Sequence, residues 1–326
     1  MSTNTLEKSI ALSKTVVILN PNAASGRSIK QLPRITRELN QWLDHPATTL
    51  VTEYPNHATE LTKQALDQGY NLIVAVGGDG TANEIVNGWF NENDQPIHPE
   101  ARLGFIPIGT GGDLRRTLEI PNEVDLASRL ISCGHSRKID VAKVSLLSHE
   151  GRPLSRYFVN VVSFGMGGEV SVRAKNFISK MSGKLAFLYA TAAVFLTYRG
   201  KRVHVTLDDN RESSLDLIVT NVAIGNGRYH GGGMQPCPRA LMDDGMLEVT
   251  TIQQLTTREF IKDLPILYSN DVYRHPKIDH YRVAKLRAES EDVTRVEVDG
   301  EALGRLPLEI EILPARLPVL GAISGS

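Results

Sequence analysis

Cysteine is nearly absent: the chain has two, Cys133 and Cys237, in 326 residues. Two thiols make no disulfide framework, and their separation fits no zinc pattern. A reducing cytoplasm is the simplest home for such a chain. No uninterrupted apolar run is long enough to span a bilayer. Met1–Lys14 lacks an apolar core of signal-peptide length, so no export signal is expected. Charge imbalance is missing too: the net charge is −1, which gives no argument for a nucleic-acid partner. No internal repeat, low-complexity tract or Gly/Ser linker stands out. What remains, 41% apolar and 22% charged, is the composition of a soluble globular protein. The length allows two domains or one large one.

The most informative stretch is Leu72–Val86, LIVAVGGDGTANEIV. Leu72–Val76 is a short branched apolar run, the pattern of a buried parallel strand. It stops at Gly77-Gly78-Asp79-Gly80. Thr81 and Glu84 stand three apart, the spacing of a capping box opening a helix. Strand, glycine turn and helix start together make an anion site, because glycines let a ligand approach and a helix N-terminus presents free N–H groups. A carboxylate at Asp79 suits such a site if a divalent cation lies between acid and phosphate, or if the acid steers a proton. On Gly-x-Gly alone, a plain tight turn would be an equal reading. The order of elements, the cap and the embedded acid favour phosphate.

Thr15–Leu19 reads as the first strand, followed by the small-residue loop Asn20–Arg27. Helical spacing runs through Ser28–Asp44, with Pro33 tolerable only near its start. Thr48–Thr52 reads as a strand, His57–Gln68 as a helix, and Leu103–Ile108 as a strand ending in Gly109-Thr110-Gly111-Gly112-Asp113. Helices are expected over Leu114–Leu118 and Val124–Ser132. This alternation predicts a parallel sheet covered on both faces, with ligands at the carboxyl ends of its strands. Near Arg137 the pattern changes. Lys138–Leu147, Arg156–Ser163, Arg202–Leu207, Ser214–Ala223, Met246–Ile252, Tyr281–Ala288 and Thr294–Val298 read as strands of a mostly antiparallel second domain. Val170–Tyr198 reads as a helical interruption. Its part Leu185–Tyr198 is apolar nearly all round, either a core helix or one wall of a lipid cleft.

Five patches, in this order, resemble the diacylglycerol kinase catalytic-domain family, which includes sphingosine kinases and bacterial lipid kinases. They are Asn20-Pro21 through Gly26, Gly77–Glu84, Gly109–Asp113 with Arg115-Arg116, Asp243–Leu247, and Val298-Asp299-Gly300-Glu301. The resemblance implies an α/β nucleotide-binding domain with a parallel sheet, then an antiparallel β-sandwich-like domain, with the active site between them. The change of pattern near Arg137 sets the domains at 1–137 and 138–313, with the tail 314–326 a candidate to return to the first.

The resemblance also implies ATP and Mg²⁺. The ATP phosphates would rest on Asn20, Pro21, Asn22, Ala23 and Ala24, and on Gly77, Gly78, Asp79, Gly80, Thr81, Asn83 and Glu84. Thr52, Gly109 and Thr110 match further nucleotide positions. Asp79 and Asp113 would organise Mg²⁺ and water. Where the family's second loop has Asn before its acid, this chain has Gly112. One acid of the pair Asp299 and Glu301 would be the general base for a lipid hydroxyl; the sequence leaves open which. Asp299-Gly300 by itself would read as a solvated turn. Leu241, Asp244 and Met246 resemble a structural Mg²⁺ site, or equally a metal-free turn at Asp244-Gly245. Arg115 and Arg116 would clamp phosphate or meet anionic lipid, or simply form a solvated face. His230, among dense glycines, reads as structural rather than catalytic.

The activity implied is transfer of phosphate from ATP to a lipid hydroxyl, diacylglycerol first, with peripheral contact at a membrane surface. The resemblance also admits a homodimer. A sphingoid-base or other lipid kinase would use the same motifs. NAD kinase shares the GGDGT-type loop, but the Asn20 loop, the Gly109–Asp113 loop and the Asp299–Glu301 pair point away from it. A catalytically silent nucleotide- or lipid-binding regulator is a further alternative, against which the presence of every expected acid argues.

Overall fold

Buried strands with helices between them build the first part of the chain. The computed structural model describes residues 13–109, 111–178, 191 and 193–321. It divides into two compact units, Met1–Ile139 with Ala315–Ser326, and Asp140–Pro314.

In the first unit, β1 (Thr15–Leu19), α1 (Arg27–Asn40), β2 (Thr48–Val51), α2 (His57–Asp67), β3 (Leu72–Gly77), α3 (Asp79–Asn87), β4 (Arg102–Pro107), α4 (Asp113–Thr117) and α5 (Val124–Ser132) follow one another. The strand order is β2-β1-β3-β4, and every neighbouring pair is parallel. β1 and β3 are buried along their whole length. Both faces of these strands are covered, which is why their sequences are continuous apolar runs rather than alternating ones. The chain passes from β1 to β2 on one side and then to β3 on the other. The carboxyl ends of β1 and β3 therefore flank a topological switch point, where open α/β sheets bind ligands.

Two local expectations need correction. Helix α1 starts at Arg27, so Pro33 stands well inside it, and Ile29 O loses its helical donor. The capping box at Thr81 and Glu84 does not form. Helix α3 begins at Asp79 after Gly78, with no side-chain cap. Glu84 instead turns to the start of α2, where its Oε2 accepts from Ala58 N at 3.1 Å and its backbone oxygen accepts from Thr59 Oγ1 at 2.8 Å. A full capping box does occur at Thr256 and Glu259, opening α7 (Thr257–Asp263).

The second unit is antiparallel, apart from α7 and α6 (Met166–Ile178). Its strands are β5 (Ser136–Ser148), β6 (Pro153–Phe158), β7 (Val161–Gly165), β8 (Lys201–Leu207), β9 (Asn210–Gly225), β10 (Leu247–Gln253), β11 (Ile278–Val283), β12 (Lys285–Glu289), β13 (Arg295–Val298) and β14 (Glu301–Leu320). One path runs β11-β10-β9-β7-β13-β14, and β8 pairs with both β9 and β12. Along β8, Val203, Val205 and Leu207 point into a core with Phe158, Phe164 and Leu247, while Arg202 and His204 face out.

Two expected single strands are each broken in two. Arg156–Ser163 splits at Val159-Asn160, and Tyr281–Ala288 at Ala284, whose N donates to Asp208 Oδ1 at 2.7 Å. Strand β14 carries no legible strand pattern, because Pro307, Pro314 and Pro318 lie within it. Gly304 lets it pass β5: a Cβ there would sit 1.9 Å from Leu147 O. From Ala315 onward β14 belongs to the first unit, where Val319 pairs with Leu103 in parallel. The expected helix Val170–Tyr198 is described as α6 and a short piece near Val194; residues 179–190 and 192 lie outside the described residues.

Gly88 closes α3 against α2, and a Cβ there would lie 2.2 Å from Thr59 O. Gly88→Ala should lower stability by about 1–3 kcal/mol through overpacking. Urea unfolding measures this; an unchanged midpoint would contradict so close an approach.

Candidate active site

At the switch point, the loop after β1 is tied across to β3 by Asn20 N donating to Val76 O at 3.1 Å. Asn20 Oδ1 accepts from Asn22 N at 3.0 Å, and Asn20 O accepts from Ser28 Oγ at 2.5 Å. Ala24, Ser25 and Gly26 then adopt left-handed φ values of 51°, 59° and 82° in succession. Such backbone persists only where its surroundings enforce it. The loop Asn20–Ala24 is therefore a fixed backbone surface. Thr52 closes β2, buried, with its N donating to Leu19 O at 2.9 Å.

The two glycine loops meet backbone to backbone. A Cβ on Gly109 would lie 3.0 Å from Gly78 Cα, and one on Gly77 would lie 2.3 Å from Thr81 Oγ1. Asp79 joins them: its Oδ2 accepts from Asp113 N at 2.9 Å and its Oδ1 from Leu114 N at 3.2 Å. One carboxylate thus caps the first turn of α4 from another loop. Burial between the loops pushes the Asp79 carboxyl above its usual range, against the two N–H groups that favour its ionised form. Asp113 Oδ1 accepts from Arg116 Nη1 at 2.6 Å, and the same nitrogen donates to Gly111 O at 2.8 Å. Arg116 is thereby committed to the loop itself. Asn83 O and Oδ1 accept from Asn87 Nδ2, and Glu84 is held on Ala58. Gly80 is exposed, with open space where a side chain would be. Thr110 lies outside the described residues.

In the second unit the expected acid pair separates in character. Asp299 has φ 45° and its carboxylate accepts from three successive backbone amides, Val159 at 3.2 Å, Asn160 at 3.1 Å and Val161 at 2.9 Å. These bonds take Val159 and Asn160 out of the strand ladder and cause the break between β6 and β7. Glu301, half-buried, makes no side-chain hydrogen bond or ion pair among the described residues. Two residues before Asp299 lies Glu297, fully buried. Its Oε1 meets His230 Nε2 at 3.0 Å and accepts from Gly300 N at 3.1 Å; its Oε2 accepts from Ser171 Oγ at 2.8 Å. Burial alone would raise this carboxyl, but His230, Ser171 and the Gly300 N–H hold it below its usual range.

Sequence reasoning missed Glu297 because it alternates with Val296 and Val298 and so reads as solvated. The glycine-dense stretch around His230 was the available signal, since it marks chain lying close against something.

Asp244 Oδ1 accepts from Met246 N at 3.0 Å, and Oδ2 is paired with Arg282. Gly245 N donates to Asp140 Oδ2 at 2.7 Å, and Leu241 is exposed. Among the described residues no group of three or more His, Cys, Asp or Glu is arranged to hold a metal.

The second unit also contains an apolar cavity. Val161, Met166, Val170, Ala223, Phe260 and Leu264 line it, with His230 and Ser163 at its wall. The Phe260 ring stacks on Phe195 with centroids 3.6 Å apart.

Residues 14–144 match the diacylglycerol kinase catalytic domain, and residues 160–321 match the YegS C-terminal NAD kinase beta sandwich-like domain. A diacylglycerol kinase of Staphylococcus epidermidis is 26% identical over 291 residues, 89% of this chain and 86% of that protein. A diacylglycerol kinase of Staphylococcus aureus is 26% identical over 89% of this chain and 87% of its own. A crystal structure of a Bacillus anthracis protein assigned as a diacylglycerol kinase superposes with a TM-score of 0.73 at 25% identity, covering 94% of this chain and 96% of that one. Yeast NADH kinase, at 11% identity, covers 94% of this chain and 82% of its own with a TM-score of 0.53, a likeness of fold.

The raised Asp79 carboxyl generates a pH test. A raised acid stabilises the fold below its unfolded value, and that contribution is lost as pH rises through its folded value. Asp79→Asn mimics the neutral acid. It also turns an –NH2 toward one of the two amides from which Asp79 accepts, so it should melt below wild type at pH 4, with the deficit narrowing toward pH 8 as the wild-type acid ionises. A variant that instead becomes relatively less stable as pH rises would refute the burial argument.

Proposed function

The chain belongs to the diacylglycerol kinase catalytic-domain family, and we propose that it transfers the terminal phosphate of ATP to the hydroxyl of diacylglycerol, forming phosphatidic acid and ADP. The observation that carries the lipid half of this reading is the apolar cavity in the chain that also bears the glycine loops. A nicotinamide dinucleotide or a free sugar would gain less than an acyl chain from walls of Val161, Val170, Phe260 and Leu264. An acyl chain gains roughly 0.8 kcal/mol per buried methylene.

The nucleotide half rests on the backbone. Side-chain-free approach at Gly78, Gly80 and Gly109, the amides of the first turn of α3 and the rigid Asn20–Ala24 loop suit a polyphosphate. The donor set also fits Mg²⁺ in one particular way. With both oxygens of Asp79 accepting amides and one oxygen of Asp113 on Arg116, the acids suit a cation coordinated mainly by phosphate oxygens and water. Mg²⁺ tolerates that arrangement well. When bound, it would neutralise charge on the transferred phosphate. Asp244, already engaged by Arg282 and the Met246 amide, is a weaker candidate for a metal.

Glu301 is the better general base. Its carboxylate has no other partner among the described residues, whereas Asp299 is committed to three amides. Glu301 would take the proton of the lipid hydroxyl as that oxygen attacks the terminal phosphorus and ADP departs. Asp299 holds the turn that presents it. No helix among the described residues is long and apolar enough to cross a membrane. Diacylglycerol resides in bilayers, so the proposed reaction would take place by peripheral contact at a membrane surface.

Transfer from labelled ATP with Mg²⁺ to diacylglycerol, sphingosine, phosphatidylglycerol or NAD tests the reading. Label should appear on diacylglycerol and vanish with Asp79→Ala. Glu301→Gln should reduce kcat by about 10²- to 10⁴-fold while melting normally. Asp299→Asn should instead lose about 1–3 kcal/mol of stability, because it turns a donor toward amides that need an acceptor. Label on NAD, or on no lipid, would sink the proposal.

A further inference from the structure

The cavity and the acid turn are joined through a single atom. Glu297 Oε1 accepts from Gly300 N at 3.1 Å and meets His230 Nε2 at 3.0 Å. Gly300 is the residue between Asp299 and Glu301. The His230 ring stands at the wall of the apolar cavity. Glu297 is fully buried, and its other oxygen is fixed by Ser171 Oγ at 2.8 Å and approached by Ser163 Oγ at 3.4 Å. A buried carboxylate held this way has little freedom to move except with its partners. A displacement of the imidazole is therefore passed to the Gly300 amide.

The second histidine of the cavity lacks such a link. His275 Nε2 meets Asp263 Oδ2 at 3.2 Å and its Nδ1 accepts from Lys277 N at 3.1 Å. That pair fastens the 3₁₀ segment Val272–Arg274 beside α7 and reaches no reactive turn.

We propose that His230 is a positioning residue, coupling occupancy of the cavity by a neutral acylated lipid to the geometry of the turn that carries Glu301. The inference rests on the lipid-kinase reading for its chemistry. An acceptor whose acyl chain fills the cavity touches the imidazole. The imidazole sets Glu297, and Glu297 sets the amide on which the turn hangs. A lipid of the wrong shape leaves the base out of place. Misplacing a catalytic group by about 1 Å can reduce turnover on the order of 10²-fold.

Two variants and two measurements test this. His230→Leu removes the donor; His230→Gln keeps one for Glu297. With diacylglycerol in mixed micelles, His230→Leu should lower kcat on the order of 10²-fold, with the Kd for ATP unchanged. His230→Gln should restore most of the loss. A purely structural role would move ATP affinity and melting temperature together with kcat, and glutamine would not rescue it. Hydrogen exchange reads the coupling without turnover, and in wild type alone if His230→Leu does not fold. Dioleoylglycerol micelles should slow exchange over residues 297–303 of wild type relative to lipid-free micelles, and should not do so in His230→Leu. Equal protection in both proteins, or none in wild type, overturns the coupling. A wild type that couples yet labels no lipid leaves the coupling standing and sinks the kinase reading. One that labels lipid without coupling does the reverse.

Discussion

A carboxylate accepting backbone N–H groups from another segment is the interaction on which this molecule depends. Asp79 does this for Asp113 and Leu114, and so holds two glycine loops at one spacing. The glycines alone could not. They permit close approach of Gly78 and Gly109 but leave the loops free to part. The acid supplies what the missing side chains cannot, a directional tie between backbones. Its raised affinity for a proton follows from the same burial that makes the tie effective.

The second unit repeats the device. Asp299 gathers the amides of Val159, Asn160 and Val161, and in doing so ends one strand and begins the next. Charge-assisted bonds of this kind are roughly twice as strong as neutral ones. Three converging on one carboxylate can hold the left-handed backbone of Asp299 against its strain. An acid of this sort is an architectural element, while its neighbour Glu301 makes no side-chain bond among the described residues. Similar residues two positions apart have been given different surroundings.

Much of the first unit was legible in the sequence because its signals are local. Leu72–Val76 followed by Gly77–Gly80 announces strand and turn within nine residues, and the alternation of such units predicts the parallel sheet. The same residues carry the expectation of a phosphate site. Distant partners were not legible. Glu84 stands at capping-box spacing from Thr81 yet serves Ala58, 26 residues away. Asp299 answers to amides about 140 positions earlier, and nothing at Val159-Asn160 warns of a break. Glu297 reads as solvated from its alternation, because only the folded chain brings Ser171 and His230 over it. Strand β14 was hidden by its prolines. Local propensity describes segments; it is silent about which segments will need each other's hydrogen bonds.

That last strand has a consequence for the order in which the protein is made. Leu317, Val319 and Leu320 are fully buried in the first unit, and Gly321 N donates to His135 O at 2.9 Å. The N-terminal part of the first unit is translated first but lacks this part of its core until the ribosome has passed residue 320. For most of synthesis its β4 edge stands open as a nascent chain. The early half of the molecule must wait for the late half before its own sheet is whole.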